Sequence, residues 1–276
     1  MTSLRIGYSP CPNDTFIMAA LAQGRVETSL RFRIETADVE KLNEWALAAR
    51  LEVTKLSFAA LGRVRDRYAL LHSGAALGRG CGPLVVSRAG THLDALHEGI
   101  VASPGELTTA ALLLALFHGE PLRFRHMLFS EIMPAVARGD ADFGLVIHEG
   151  RFTFAEHGLD ALVDLGAWWE EETGSPIPLG GIAVRRDIGQ RIAREVDLAI
   201  ARSLMMADPN SDETMRYVRS HAQEMDLEVI RQHIGLYVNS FTRDIGPEGE
   251  AAVAELFARG QRTGLIPRVN LPLLAY

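Results

Sequence analysis

The sequence predicts an α/β protein of two strand–helix blocks with a helical tail, the second block inserted into the first. Three observations carry this. Short apolar runs bounded by turn residues alternate with segments of helical period from Leu4 to Arg185. Gly- or Pro-rich crossings interrupt that alternation near 80–88 and 174–182. From Ile188 onward the pattern is helical throughout. The simplest assembly has a discontinuous first lobe, 1–87 with 179–276, and an inserted second lobe, 88–178. A cleft between them would gather strand ends and helix N-termini, with hinges near Gly82–Leu84 and Pro178–Gly181.

Taken in order, Leu4–Tyr8 reads as a strand and Ser9-Pro10-Cys11-Pro12-Asn13-Asp14-Thr15 as a stiff loop. Its prolines forbid a helix before position 12, and Asn13 or Asp14 is a good N-cap for the apolar run Phe16–Leu21. Arg31–Ile34 is a second strand. Asp38 then caps a helix to Leu47 whose face carries Val39, Leu42, Trp45 and Ala46, which makes Trp45 a core residue. Leu51–Thr54 is a third strand, with Lys55-Leu56-Ser57 just beyond its carboxyl end. Ser57 is the natural cap of the helix Phe58–Val64. Strand-like runs at Tyr68–His72 and Leu84–Ser87 flank Gly74, Gly78, Gly80 and Gly82, a hairpin or a hinge. The stretch lacks the GK[ST] ending of a phosphate loop.

Gly99–Ala102 restarts the pattern as a strand. The turn Ser103-Pro104-Gly105-Glu106 and an apolar, buried helix beginning at Thr108-Thr109-Ala110 follow it. Arg123–Leu128 is a strand, and Pro134–Arg138 a short helix closed by Gly139. Phe143–Ile147 is apolar and rich in β-branched and aromatic residues, a fully buried strand of a parallel sheet with His148 at its carboxyl end. Ala161–Leu165 is a strand and Gly166–Glu172 a helix; packing is the commoner use of the pair Trp168-Trp169. After Pro176–Gly181 come a strand, Gly181–Arg185, and the helices Ile188–Ala207, Ser211–His221, Leu227–Asn239 and Pro247–Arg262.

Composition narrows the function. The 276 residues include 47% hydrophobic and 23% charged, a globular profile, with a net charge of −7. That acidic balance argues against nucleic acid as a partner. The cysteines, Cys11 and Cys81, form no CxxC pair; one disulfide between them is compatible with the count, but such sparse usage fits a reducing compartment. No signal-peptide-like h-region opens the chain and no run approaches the roughly 18 apolar residues of a membrane span, so the expected location is cytoplasmic, with no membrane partner. The nine histidines include no HExxH and no tight His/Cys/carboxylate cluster, so no metal site is expected. Neither G-x-S-x-G nor GxGxxG is present, which favours chemistry without a cofactor, or plain binding. The sequence says nothing of oligomeric state.

Candidate site residues lie at expected strand ends and helix starts. His148 is one, because imidazole with an ordinary pKa of about 6.5 exchanges protons near neutrality; its plain alternative is a strand-capping histidine satisfied by backbone. Thr108 and Thr109, in the first turn of a buried helix, form a seat for a carboxylate or other anion, or simply cap it. Lys55 and Ser57 offer a charge and a hydroxyl, and Ser9, Asn13 and Asp14 a pocket wall.

Read together, Ser9–Phe16 (SPCPNDTF), Thr54–Ser57 (TKLS), Leu77–Gly80 (LGRG), Ile147-His148-Glu149 with the following Arg151-Phe152, and Asp164–Trp169 (DLGAWW) resemble the 1,4-dihydroxy-6-naphthoate synthases of the futalosine route to menaquinone. The resemblance covers nearly the whole chain. It implies a two-lobed, periplasmic-binding-protein-like (type II) fold at work in the cytoplasm. It also implies a cofactor-independent lyase that converts cyclic dehypoxanthinyl futalosine to 1,4-dihydroxy-6-naphthoate. The family's proton acceptor falls on His148. Its substrate contacts fall on Lys55, Leu56 and Ser57 and on Thr108, Thr109 and Ala110. Two rival readings stand beside it: the chorismate dehydratase of the same pathway, and a non-catalytic cytoplasmic protein that binds a small carboxylate.

Overall fold

Residues 2–222 and 226–276 are described by a computed structural model. The chain divides into two units, Met1–Gly78 with Pro178–Tyr276, and Arg79–Ile177. The first division falls earlier than the position 87 read from the sequence. The reason is β-pairing: the strand Leu84–Arg88, assigned to the first lobe from its sequence, pairs antiparallel with Phe143–Val146 and Leu159–Asp164 of the second unit.

The first unit opens with β1 (Ser3–Tyr8), α1 (Pro12–Ala22), β2 (Arg31–Thr36), α2 (Val39–Leu47), β3 (Val53–Ser57), α3 (Phe58–Val64), β4 (Tyr68–Leu70) and β5 (Ala76–Gly78). The second contains β6 (Leu84–Arg88), β7 (Ile100–Ser103), α4 (Thr109–His118), β8 (Arg123–His126), α5 (Phe129–Arg138), β9 (Phe143–Val146), α6 (Gly150–Thr153), β10 (Leu159–Asp164) and α7 (Leu165–Thr173). The chain returns through β11 (Ile177–Arg185) to α8 (Gln190–Met206), α9 (Asp212–Arg219), α10 (Leu227–Tyr237), α11 (Ser240–Arg243) and α12 (Gly246–Arg262).

In the first sheet the order is β2-β1-β3-β11-β4, with β5 beside β11; β1 runs parallel to β2 and β3, and β11 antiparallel to β3 and β4. The core on one side joins Ile6 and Tyr8 to Phe16, Ile17 and Met18 of α1, Val196 and Ile200 of α8, Val218 of α9 and Ile230 and Ile234 of α10. A hydroxyl stitches α1 to α8 within this core: Ser203 Oγ donates to the Ile17 carbonyl at 2.6 Å and accepts the Leu21 N–H at 3.0 Å. The helical tail is therefore the cover of the first sheet rather than an appendage.

In the second sheet the order is β10-β6-β9-β7-β8. All of β9 is buried, as its composition predicts, but it is parallel only to β7 and antiparallel to β6, so the sheet is mixed rather than parallel. Gly139 ends α5 in the left-handed conformation, φ 85°, the geometry its position after Arg138 predicts. That helix begins at Phe129 and carries Pro134 inside it.

Other local expectations change for identifiable reasons. The first helix starts at Pro12, with Cys11 as N-cap; a proline at the first helical position has no N–H to lose, so Asn13 and Asp14 become first-turn residues instead of caps. Trp45 is half-buried, not core, with the Arg50 guanidinium stacked 3.9 Å above its ring. Trp169 does pack inside, its Nε1 donating to the Pro176 carbonyl at 3.1 Å, while Trp168 meets Phe117 edge-on. Cys11 and Cys81 are buried thiols that form no disulfide, and burial pushes the Cys81 thiol up to about 12. No described helix is long and apolar enough to cross a membrane.

Candidate active site

In the first unit, parallel neighbours β1 and β3 bring their carboxyl ends side by side, which is where open α/β sheets collect ligands. The loop after β1 supplies Ser9, Asn13 and Asp14, all buried. Asp14 is the hub. Its Oδ2 accepts the Ser9 hydroxyl at 2.7 Å, and its Oδ1 accepts the Asn13 amide at 3.0 Å and faces Lys55 Nζ at 2.8 Å. Lys55 also donates to the Gly74 carbonyl at 3.2 Å, and both charged side chains are about 95% removed from solvent, at 6% and 5% exposure. The lysine expected beyond a strand end therefore lies inside β3, committed to a buried ion pair.

Ser57 ends the same strand. It occupies the N-cap position of α3, yet its side chain makes no capping bond. Asn43 of α2 holds it from two directions: Asn43 Nδ2 donates to Ser57 Oγ at 3.2 Å, and Asn43 Oδ1 accepts the Ser57 N–H at 2.9 Å. A hydroxyl that accepts from an amide keeps its own proton to give. Leu56 between them is buried, its backbone in register with Gly181 of β11.

Two further residues of this unit escaped the sequence reading. Buried His233 of α10 meets Asn13, with Nε2 and Oδ1 3.0 Å apart. Tyr8, at the carboxyl end of β1, shares a 2.5 Å hydroxyl–hydroxyl contact with Tyr217, and burial followed by that hydrogen bond raises the Tyr8 phenol well above its ordinary value. Asn43 and His233 had a signal: each is a polar residue at the spacing of an apolar helical stripe, beside Leu42 and Ala46 in one case and Ile230, Ile234 and Tyr237 in the other.

In the second unit the neighbours are β7 and β9, again parallel. After β7, Thr108 is the N-cap of α4. Its hydroxyl donates to the Gly105 carbonyl at 2.8 Å and accepts the Ala111 N–H at 3.2 Å, so it is spent on the local turn. Thr109 and Ala110 follow in the first turn, both buried.

After β9, His148 occupies the left-handed region at φ 57°, a conformation uncommon outside glycine that marks a backbone held in place by its surroundings. Its ring lies 5.0 Å from Phe129, edge to face. Glu149 does not continue the strand. It is helical, φ −64° and ψ −22°, and buried. Arg151 follows, its guanidinium donating to the Gly82 carbonyl at 3.1 Å and to Asp164 at 2.5 Å. The Pro83 carbonyl accepts the Leu165 N–H at 3.0 Å, so the segment read as a hinge, Gly82–Leu84, is bonded into the second unit.

Against this geometry the comparisons are decisive. The family described as menaquinone biosynthesis matches residues 4–262. The chain belongs to that family. Among curated members, a 1,4-dihydroxy-6-naphthoate synthase of Thermus thermophilus is 51% identical over 99% of each chain. One of Streptomyces coelicolor is 45% identical over 99% of this chain and 98% of its own. Of solved structures, protein AF1704 of Archaeoglobus fulgidus superposes with a TM-score of 0.90 at 34% identity, covering 96% of this chain and 98% of that one. The alkanesulfonate-binding protein of Xanthomonas axonopodis pv. citri reaches 0.71 at 11% identity, covering 97% and 95%. At that identity the likeness concerns the fold alone, which is periplasmic-binding-protein-like. The menaquinone-family segments quoted from the sequence fall after β1 and β9, inside β3, at the end of β5 and at the start of α7.

Proposed function

We propose that this protein is a 1,4-dihydroxy-6-naphthoate synthase, a lyase that forms its product from cyclic dehypoxanthinyl futalosine in the cytoplasm. End-to-end identity of 51% to a curated synthase carries the reading, and the side chains at the strand ends are chemically suited to it.

The reaction begins with loss of a proton next to a carbonyl. A base must work near neutrality, and His148 is the histidine that follows β9. Removal of the proton develops enolate charge. Ser57, its oxygen held by Asn43 and its proton available, is one donor; backbone N–H groups in the first turn of α4, near Thr109 and Ala110, are the others. Carbon–carbon cleavage then releases the sugar-derived fragment. Aromatisation of the ring drives the step forward, so the electrons need no external sink and the reaction as written uses no cofactor. Lys55 serves by anchoring Asp14 rather than by reaching the substrate.

Names of relatives favour the synthase over the chorismate dehydratase of the pathway. The fold alone would equally serve a binding protein, and one assay separates the three. Purified protein incubated with cyclic dehypoxanthinyl futalosine, with no cofactor added, is expected to release 1,4-dihydroxy-6-naphthoate. Dehydration of chorismate instead, or binding without turnover, overturns the proposal.

A further inference from the structure

The mechanism above uses one proton acceptor, yet base-initiated cleavage followed by aromatisation moves protons at more than one position. The first unit contains a second imidazole that no step has used. His233 lies on the inner face of α10 with Ile230, Ile234 and Tyr237, is 1% exposed, and stacks obliquely on Tyr237 at 4.6 Å.

Its protonation pattern follows from its neighbours. Asp14 faces Lys55 at 2.8 Å and is an acceptor only. The Asn13 amide must therefore turn its NH2 toward Asp14, at 3.0 Å, and its carbonyl toward His233. A carbonyl accepts only, so His233 Nε2, 3.0 Å away, must carry the hydrogen. In the neutral ring Nδ1 is then the basic nitrogen.

We propose that Asp14, acting through Asn13, holds His233 in its Nε2–H tautomer and makes Nδ1 a second proton acceptor in the reaction proposed above, on which this inference rests. Asp14 and Asn13 are positioning residues; the arrangement resembles a catalytic carboxylate–imidazole pair with an amide interposed. A buried imidazole N–H needs an acceptor in any role; what distinguishes this one is the charged pair behind the amide. A buried lysine–aspartate pair is costly beside apolar residues of similar size, and here it sits at the carboxyl end of β1 and terminates on one ring nitrogen. The step is a simple transfer. A ring C–H bond breaks, an Nδ1–H bond forms, the bonding pair stays in the ring as it becomes aromatic, and the proton passes to water after the product leaves.

The test combines spectroscopy with kinetics. Long-range 1H–15N correlation of the ligand-free protein, with the His233 signals assigned by their loss in His233→Gln, should show Nε2–H and bare Nδ1. His233→Gln retains an amide N–H for Asn13 but has no basic nitrogen. It should melt near the wild-type temperature, with kcat lowered about 100-fold or more and KM within about threefold. Asn13→Ala keeps the imidazole and removes its lock; it should give mixed tautomers and lower kcat about tenfold. An Nδ1–H tautomer in the wild type, or His233→Gln turning over within about fivefold of it, overturns the proposal. If His233→Gln does not fold, Asn13→Ala decides, because an unchanged tautomer and rate there remove the positioning role. A wild-type protein inert toward the futalosine derivative overturns the assigned function, and with it the catalytic role, while the tautomer measured without ligand still stands or falls separately.

Discussion

Arg151 and Asp164 form one device from two separate sequence segments. Arg151 donates one guanidinium nitrogen to Asp164 Oδ2 at 2.5 Å, while Asp164 Oδ1 caps α7 through the N–H groups of Gly166 and Ala167 at 2.9 and 3.1 Å. The other nitrogen reaches the Gly82 carbonyl. The approach is close: a Cβ on Gly166 would stand 1.8 Å from the Cys81 carbonyl oxygen. The backbone after His148 is thus braced against α7 and the first crossing.

Replacing Asp164 by Ala removes a cap and leaves Arg151, 17% exposed, without its carboxylate. The expected loss is about 2–4 kcal/mol of stability by urea denaturation. In a double-mutant cycle with Arg151→Met the coupling should exceed about 1 kcal/mol; a value near zero would show that the two side chains act independently.

The buried pair Lys55–Asp14 makes a second prediction. Lys55→Met leaves a carboxylate in a site with 5% exposure and should cost about 3–5 kcal/mol. Lys55→Met with Asp14→Leu should recover much of that loss, since an apolar pair of similar volume carries no desolvation penalty. Thermal or urea unfolding of the three variants gives the comparison, and a double variant no more stable than Lys55→Met contradicts it.

Thr108 and Thr109 separate in their expected effects. Because the Thr108 hydroxyl caps α4 and bonds Gly105, Thr108→Val should lower stability by about 1 kcal/mol. Thr109, beyond the cap, is the residue whose valine variant should weaken binding of a carboxylate-bearing product by about 1–3 kcal/mol, with an amide analogue indifferent. Equal affinity of the variant for the acid would move the carboxylate seat elsewhere.

Acid sensitivity has a specific source at Glu52. The Arg5 side chain, through Nε and Nη2, and then the Arg5 backbone N–H hold its carboxyl down from 4.5 to about 2, with Arg185 adding to the effect. A depressed folded-state pKa contributes stability that is whole above the unfolded value and disappears as pH falls through the folded one. The contribution is therefore present at neutral pH and lost between about 4.5 and about 2. Allowing for screening at the half-exposed Arg5, it amounts to about 1–3 kcal/mol. Glu52→Gln should be less stable than wild type at pH 6, and the gap should narrow as pH approaches 3. A gap independent of pH would assign the effect to packing.

What the sequence disclosed and what it hid follow from the range of the interactions. Hydrophobic period and turn residues are local, so β1, α2, β9 and the tail helices were legible within a few residues. The membership of β6 was not, because its partners Phe143–Val146 and Leu159–Asp164 lie more than fifty positions downstream. The start of α1 differs from the expected cap at Asn13 or Asp14 because proline takes the first helical position in place of a side-chain cap. The site divided in the same way. Ser9, Asp14, Lys55 and Ser57 were visible as polar residues at expected strand ends, whereas their bonds to one another were not. Asn43 and His233 interrupt apolar helical stripes, a signal that names no partner; only the fold sets them against Ser57 and Asn13.

His148 is where the proposed chemistry meets the fold most directly. It follows the buried strand β9, and its left-handed backbone, φ 57°, restricts what can replace it. Asparagine is among the few residues that tolerate this conformation, so His148→Asn keeps the turn and a polar side chain while removing the basic nitrogen. If His148 is the base, single-turnover cleavage should slow by about 10²- to 10⁴-fold, with substrate affinity nearly unchanged. Alanine at the same position lacks the local side-chain hydrogen bonding that eases asparagine into positive φ and should lose both stability and rate, so asparagine is the cleaner probe. Turnover by His148→Asn within a few-fold of wild type, or a loss confined to affinity, would make His148 a binding residue and leave the first proton to another group.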